Sequence, residues 1–223
     1  MKKFLLLFLT PLFAFAMHAQ NIKIKVEEKS ENIGGGSHNC LVVIIYDAKP
    51  DDIKKEWKSK MRDYNAKVSG GDEIFADNAL IKEISDNTCD VYAKTENGSK
   101  DNETKFIVGF VLGETWLSSS SNSSSYKAAE KIVKDFATKM SKDAMADIVK
   151  AEQKKLDALK DDQSDLEKKN KNLNDDIADY QKKIDQAKAD IKTNEDDQAK
   201  KKAAIEAQQK VLDDAKARQN SVE

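Results

Sequence analysis

The residues best suited to covalent chemistry lie in one glycine-rich stretch, GGGSHNC, which runs from Gly34 to Cys40. Ser37 and His38 are residue types that a hydrolase uses as nucleophile and base, but the sequence offers no recognisable acid to orient the histidine. The stretch also lacks the Lys-Ser/Thr pair that a phosphate-binding loop requires. We therefore interpret it as a flexible turn before a strand, and we predict no catalytic residue.

Motifs for metals and cofactors are equally sparse. His38 is the only histidine beyond residue 18, and one histidine with two separated cysteines does not match the spacing of a zinc site. The sequence has no Gly-x-Ser-x-Gly motif and no nucleotide-binding glycine pattern. The acidic loop at Asp101 lacks the spacing of an EF-hand loop and is interpreted as a solvated hairpin tip. We expect no cofactor and no metal ion, and we assign Trp57 and Trp116 to the core.

The chain begins with a pattern that is typical of an export signal. Lys2 and Lys3 precede an apolar run from Phe4 to Phe15, and small-residue cleavage patterns follow. The apolar run is too short to cross a bilayer, so residues 1–19 are predicted to be a cleaved signal peptide. We expect a soluble protein in the periplasm or outside the cell, with no membrane span.

The predicted compartment determines which chemistry is open to the two cysteines. Cys40 and Cys89 each begin a strand-like run, and an oxidising compartment permits a disulfide between them. Such a bond would close a span of 49 residues. In the chain-entropy model it would stabilise the fold by up to about 4 kcal/mol. The alternative is a pair of buried thiols that never meet.

The charge balance argues against nucleic acid as a partner. Removal of the signal takes away two lysines and leaves 36 basic and 40 acidic side chains. Residues 126–223 carry 22 of each sign, so the acidic excess belongs to residues 20–125. Neither part has the basic excess that neutralises phosphates.

Residues 20–117 have the pattern of a small α+β domain. Strand-like runs cover residues 22–27, 40–47, 73–84, 89–96 and 105–118. Between the second and third runs, Ile53, Trp57, Met61 and Tyr64 form an apolar stripe on a helix that begins at Pro50. The turn sequence NGSKDNE predicts a hairpin between the last two runs. In the last run Gly109 lies on the face opposite Phe110, where a neighbouring group could approach closely.

This element order favours an open sheet with a helix on one face. Strand, strand, helix, three or four strands and helix is an order similar to ferredoxin-like or TATA-binding-protein-like domains, which carries no function by itself. ISDNTCDVYAK, residues 84–94, together with GFVLGETWLSSS, residues 109–120, resembles uncharacterised exported proteins of Bacteroidota-type bacteria. The resemblance covers roughly the whole mature chain and implies no activity.

A serine tract separates this domain from a long helical segment. Residues 118–125 are interpreted as a linker, and residues 126–220 as a long helix that forms a coiled coil. Apolar residues recur there at three-four spacing without a slip, although polar residues weaken the pattern after Ile191. The predicted coiled-coil core consists of Leu156, Leu159, Leu166, Leu173, Ile177, Tyr180, Ile184, Ile191, Ile205 and Leu212.

A repeat of 14 residues, two heptads long, begins at Lys154, Lys168 and Lys182. Asn170, Asn172 and Asn174 would suit the tip of a helical hairpin, but the repeat continues through them in phase. We therefore favour one long helix over a helical hairpin.

The flanking charges bear on how such a helix would pair. A parallel, in-register homodimer would oppose Lys155 with Lys160, Asp162 with Glu167, Lys183 with Lys188, and Asp190 with Glu195. All four pairs are of like charge, whereas antiparallel pairing or a stagger of one heptad brings opposite signs together. A solvated single helix is the remaining alternative.

These patterns predict a non-enzymatic exported protein, with an α+β module on a coiled-coil arm used for assembly, spacing or partner binding. The alternative is a small-ligand-binding domain that its helix oligomerises. A deep apolar pocket in the sheet domain would favour the ligand-binding protein, and a filled core would favour the scaffold.

Overall fold

The structure is a computed structural model, and it describes residues 22–121 and 123–221. The predicted signal peptide, residues 1–19, lies outside the described residues. The first compact unit ends at Ala151 and the second begins at Glu152. We call the described part of the first unit the head, and residues 152–220 the arm.

The described residues form seven strands and two helices. They are β1 Val26–Ile33, β2 Gly36–Tyr46, α1 Pro50–Asp63, β3 Lys67–Ser69, β4 Glu73–Ala79, β5 Cys89–Asn97, β6 Glu103–Leu112, β7 Thr115–Trp116 and α2 Ser123–Asn220. The sheet has the order β1-β2-β6-β5-β4-β3, with β7 paired to β6. Every strand pair is antiparallel.

The α+β prediction is confirmed, with two corrections to its detail. The predicted hairpin between β5 and β6 is present and pairs Asp90 with Val111 at one end and Asn97 with Thr104 at the other. The sheet is larger than predicted, because β3 and β7 are too short to show a period-two pattern in the sequence. The ferredoxin-like or TATA-binding-protein-like order is not confirmed, since β1 and β2 form an adjacent hairpin at one edge.

One face of the sheet carries the main core. Alternate residues of β2 (Leu41, Val43 and Ile45) point to this face, as do alternate residues of β4, β5 and β6. The stripe of α1 lies against it, with Ile53, Trp57 and Met61 fully buried as the spacing predicts. The indole of Trp57 contacts Phe106 edge-on at 5.1 Å between ring centroids.

The first turns of α2 complete that core. Ala129, Val133 and Ala137 are fully buried in it, and the ring centroid of Phe136 lies 4.9 Å from that of Trp57. Residues 126–151 therefore belong to the head, although the sequence pattern assigned residues 126–220 as a whole to a separate coiled coil. The heptad pattern missed this because apolar residues at helical spacing look alike whether they face a sheet or another helix.

The serine tract is only in part the linker that its composition predicted. α2 begins at Ser123, inside the tract, and Ser125 is buried. The hydroxyl of Ser125 donates a hydrogen bond to the carbonyl oxygen of Ile84 at 2.6 Å. The composition of a serine run predicts a flexible linker. Here, however, one hydroxyl makes a specific buried hydrogen bond between the helix and a loop.

α2 runs without a break from Ser123 to Asn220, so the long helix is observed and the helical hairpin is not. Within the described part of the chain, neither helix has the length and apolar character needed to cross a bilayer.

Candidate interaction surfaces

The arm carries the predicted apolar stripe on its surface. All ten predicted coiled-coil positions lie in α2 and are exposed, with 44% to 66% of each residue accessible. Val211 lies beside Leu212 and is 60% exposed. Large apolar side chains at three-four spacing on one helix are the surface that a second helix would cover.

The polar faces of the arm are stabilised from within the helix. Lys171 and Asp175 form an i,i+4 ion pair at 2.9 Å, and Lys168 and Asp165 an i,i+3 pair at 3.0 Å. Gln181 donates to Asp185 at 3.0 Å in the same i,i+4 arrangement. Such pairs each contribute a few tenths of a kcal/mol at an exposed helix surface, so they support helix formation without holding a partner.

The second face of the head's sheet carries a row of stacked aromatic rings. The rings of His38 and Trp116 lie 3.9 Å apart and nearly parallel, at 4°. Tyr92 stacks against Trp116 at 5.3 Å, and Phe75 lies 4.7 Å from Tyr92. All four side chains are partly exposed. Trp57 lies in the core as predicted, but Trp116 covers this second face instead.

Gly109 explains how Trp116 fits against the sheet. A Cβ atom at this position would overlap the six-membered ring of Trp116, so only glycine lets the indole lie on β6. The sequence indicated a close approach on the Gly109 face but did not identify the approaching group. The nearest signal is the spacing from Gly109 to Trp116, which a tight β6–β7 turn brings together.

The hairpin of β1 and β2 folds over this face. Gly34 and Gly35 form its two-residue turn, both with positive φ, as a tight hairpin with the right-handed strand twist requires. The backbone N–H of Gly34 donates to the carboxylate of Glu73, on β4, at 3.1 Å. Beneath the hairpin, Ile33, Cys40, Val42 and Ile107 form a second, smaller core. The turn that the sequence predicted is therefore tight and anchored.

Ser37 and His38 are not arranged as a nucleophile and its base. The hydroxyl of Ser37 is hydrogen bonded to that of Ser30 at 2.9 Å, while the imidazole of His38 lies flat on the indole of Trp116. The nearby charged groups pair among themselves: Lys105 contacts Glu31 at 2.8 Å and Glu96 at 3.1 Å. These contacts fasten the β1–β2 hairpin to β5 and β6.

The hydrogen bond from Lys94 to Glu96, at 2.7 Å, lowers the pKa of the Glu96 carboxyl, and Lys105 adds to this effect. A carboxyl that is held ionised in this way acts as a fixed ion-pair partner. It is not poised to accept a proton as a catalytic base near neutral pH.

Of the two alternatives for the cysteines, the structure has the pair of separate thiols, because Cys40 and Cys89 are both free and buried. Cys40 belongs to the smaller core and Cys89 to the main core, so the two thiols lie on opposite faces of the sheet. β6 also lies between their strands, which places the backbones about 10 Å apart at the usual strand spacing. This exceeds the reach of a disulfide. Burial raises the pKa of each thiol to about 11.

Within residues 22–121 and 123–221, no cluster of three histidine, cysteine or carboxylate side chains is placed to hold a metal ion. Comparison with known proteins finds no matching family model, no matching curated protein and no matching solved structure.

Proposed function

We propose that this chain is an exported, non-enzymatic assembly protein that self-associates through its arm and presents its head as a binding module. The observation that carries the proposal is the exposed apolar stripe along an unbroken helix. Leaving ten large apolar side chains in water is unfavourable, at roughly 1–2 kcal/mol for each side chain that a partner could bury. A second copy of the same helix is the partner whose stripe matches it.

The core of the head favours a scaffold over the alternative, a small-ligand-binding domain. Trp57, Phe106 and Phe110 fill the space between the sheet and the helices, and each is at most 2% exposed. A binding domain for a small apolar ligand needs an enclosed cavity in that position. Its place here is occupied by side chains of α1 and β6.

Two effects compete in deciding how the arms pair. Identical residues face each other in a parallel, in-register pair, which matches Leu173 with Leu173 and Ile177 with Ile177 in the core layers. The charges that flank the core oppose that arrangement. Lys155, Asp162, Lys183 and Asp190 occupy heptad position g, and each would face a residue of like charge at position e of the other arm. We infer that the charges select antiparallel or heptad-staggered pairing at low ionic strength, and that they lose influence as salt screens them.

Sedimentation velocity of the full-length mature protein tests the proposal. We expect the sedimentation coefficient to rise with protein concentration, because the stripe must be covered by a second copy. Replacing Leu166, Leu173 and Ile184 with Gln should abolish this rise. Replacing the outward-facing Ala158, Ala178 and Ala189 with Gln is the matched control and should leave it intact. A wild-type protein that stays monomeric at every concentration would refute self-association.

Cysteine crosslinking then distinguishes the pairing geometries. Asn170→Cys and Ile191→Cys variants each report whether identical positions meet. Efficient crosslinking of both positions to their own counterparts means parallel, in-register pairing and contradicts the charge argument. Weak crosslinking of both, in a protein that self-associates, agrees with the antiparallel or staggered forms.

The export part of the proposal has its own measurement. N-terminal sequencing of protein recovered outside the cytoplasm should find a start near Met17 or Gln20. Intact Met1 on that material would rule out cleavage of the predicted signal.

A further inference from the structure

A groove of about 460 Å³ lies in the head, between the loop that joins β2 to α1 and the turns of α2 around Ala144. Its floor is apolar and consists of Met140, Ala144 and Ile148, of which Ile148 is 43% exposed. Residues at spacings of four place these three side chains in a row on one face of α2. The floor is therefore a short apolar helix surface open to solvent.

The loop side of the groove is held in place by backbone hydrogen bonds. The N–H of Tyr46 donates to the hydroxyl of Ser141 at 3.0 Å, and the N–H of Asp47 donates to the carbonyl of Asn102 at 2.8 Å. The hydroxyl of Thr104 donates to the carbonyl of Ala48 at 3.0 Å. The groove is thus preformed, so a ligand would not have to order it on binding.

The rim of the groove is strongly acidic. Four aspartates, Asp47, Asp52, Asp143 and Asp147, line it against the single lysine Lys49. Asp143 is paired with Lys139 at 3.1 Å, and the other three have no ion pair among the described residues. An apolar floor with an acidic rim fits an amphipathic helix that carries positive charge.

The arm contains a segment with those properties. Residues 199–212, AKKKAAIEAQQKVL, carry four lysines and one glutamate, whereas acidic runs flank them on both sides. Ile205, Val211 and Leu212 are exposed on this segment at 62%, 60% and 44%. The net charge of the segment is opposite in sign to that of the groove and of similar size.

The same segment is the part of the arm least suited to pairing with another arm. Lys201 and Gln208 continue the seven-residue spacing of Leu159, Leu166 and Leu173, so the heptad directs them toward a partner. An arm–arm pair would carry the Lys201 ammonium toward an apolar seam at a cost in desolvation. An acidic rim would instead offer that ammonium a carboxylate. The coiled-coil pattern is therefore weakest in the same segment whose positive charge complements the acidic groove.

We propose that the groove of one copy binds the segment 199–212 of a second copy, with Ile205 against the Ala144–Ile148 floor and the lysines on the aspartate rim. This inference rests on the proposed self-association and adds a second contact to it, from arm to head. A contact between two different surfaces is heterologous, so it can extend an assembly beyond two chains.

Directed crosslinking tests the contact in the full-length protein. Tagged Ile148→Cys and untagged Ile205→Cys variants are mixed and treated with a short bismaleimide. We expect a mixed crosslinked dimer, because Cys40 and Cys89 are buried and leave the wild-type background unreactive. Untagged Ile177→Cys is the matched control, because Ile177 lies outside the segment and is 65% exposed, against 62% for Ile205. Equal crosslinking of Ile148→Cys to both arm positions, or to neither, would overturn the inference.

A second test removes negative charge from the rim of the groove. The triple variant Asp47→Asn, Asp52→Asn, Asp147→Asn should weaken self-association roughly tenfold at low salt, which corresponds to about 1.4 kcal/mol for the three exposed pairs together. The control is Asp63→Asn, Glu83→Gln, Asp86→Asn, which changes the net charge equally at exposed head positions away from the groove.

The possible outcomes separate this inference from the proposed function. If wild-type protein self-associates but the groove variant and its control behave alike, the arm-to-head contact is wrong and the arm-based assembly stands. If wild-type protein is monomeric throughout, both are wrong. Thermal unfolding of each variant, followed by circular dichroism, checks that a lost association does not come from a misfolded head.

Discussion

The indole of Trp116 packs directly on Gly109, and glycine is required there because any side chain would occupy the position of the indole. The indole lies across β6 at the point where the strand has no side chain, and it is stacked between His38 and Tyr92. Tryptophan at such a place buries a large apolar surface on the less protected face of the sheet. His38, the one histidine among the described residues, is thereby a packing partner of an indole.

Gly109→Ala should destabilise the head by about 1–3 kcal/mol, because the added methyl group forces the Trp116 indole off the sheet. Urea unfolding monitored by tryptophan fluorescence measures the change. Gly71→Ala is the control, since a Cβ atom at Gly71 has no neighbouring atom within 4 Å. Equal stability of the two variants would mean that Trp116 does not rest on β6 in solution.

The buried thiols predict a loss of stability in alkali. Burial raises the pKa of Cys40 and Cys89 to about 11 in the folded protein, against an ordinary value of 9.0. Above pH 9 the unfolded chain releases these protons and the folded chain retains them. The free energy of unfolding is therefore unaffected by the thiols below pH 9 and falls as pH rises from 9 to 11.

Urea unfolding at pH 8, 9, 10 and 11 measures that fall. A double Cys→Ala variant should be less stable than the wild type at pH 8, but its free energy of unfolding should fall less between pH 8 and pH 11. The difference between the two falls is roughly 1.4 kcal/mol for each unit of pKa shift of each thiol removed. Parallel declines in the variant and the wild type would contradict the assignment of the thiols.

At the scale of the elements, the charges at the g positions of the arm are expected to make self-association depend on salt concentration. Reversing Lys155, Lys169 and Lys183 to Glu makes the g edge uniformly acidic from Lys155 to Asp190. That change removes the opposite-sign matches of antiparallel or staggered arms. Self-association should weaken, more at low salt than at high salt.

The matched control for that variant is Lys168→Glu, Lys182→Glu, Lys192→Glu, which changes the net charge equally on the outer faces of the helix. Sedimentation equilibrium at two salt concentrations compares the two triple variants. The same weakening in both, at both salt concentrations, would show that net charge matters and the g edge does not.

The elements that the sequence predicts well are those whose pattern is local. The stripe Ile53, Trp57 and Met61 identifies α1 and its buried face, because period and neighbours are both within the helix. β3 and β7 escape prediction, since three and two residues are too few to show alternation. The contact of the β1–β2 hairpin with β4 could not be predicted from the sequence either, because the hydrogen bond between Gly34 and Glu73 joins residues that only the tertiary structure brings together.

At the scale of the whole molecule, the boundary near Ala151 can be tested by truncation. A protein that ends after Ala151 keeps every α2 residue buried in the main core, whereas one that ends after Ser125 loses Ala129, Val133 and Phe136. We expect the first to unfold cooperatively and the second to lose cooperative unfolding. The loss is expected because removal of one large core side chain already costs about 3–5 kcal/mol.

Thermal unfolding of the two truncated proteins, compared with that of the full chain, gives the answer. Cooperative unfolding of the protein that ends after Ser125 would return the domain boundary to the serine tract, where composition alone placed it. The sequence predicted an α+β fold followed by a long helix, but it could not show that the serine tract enters the core.

The late position of the core residues of α2 has a consequence for the order of events during synthesis. The hydrogen bonds from Ser125 to Ile84 and from Tyr46 to Ser141 join residues 41 and 95 positions apart. A nascent chain that stops short of Ala129 has all its strands but lacks the α2 side chains, from Ala129 to Met140, that cover part of their apolar face. The head is therefore expected to remain incompletely folded until α2 emerges, and under the export proposed above this interval is the one in which the chain would be received unfolded.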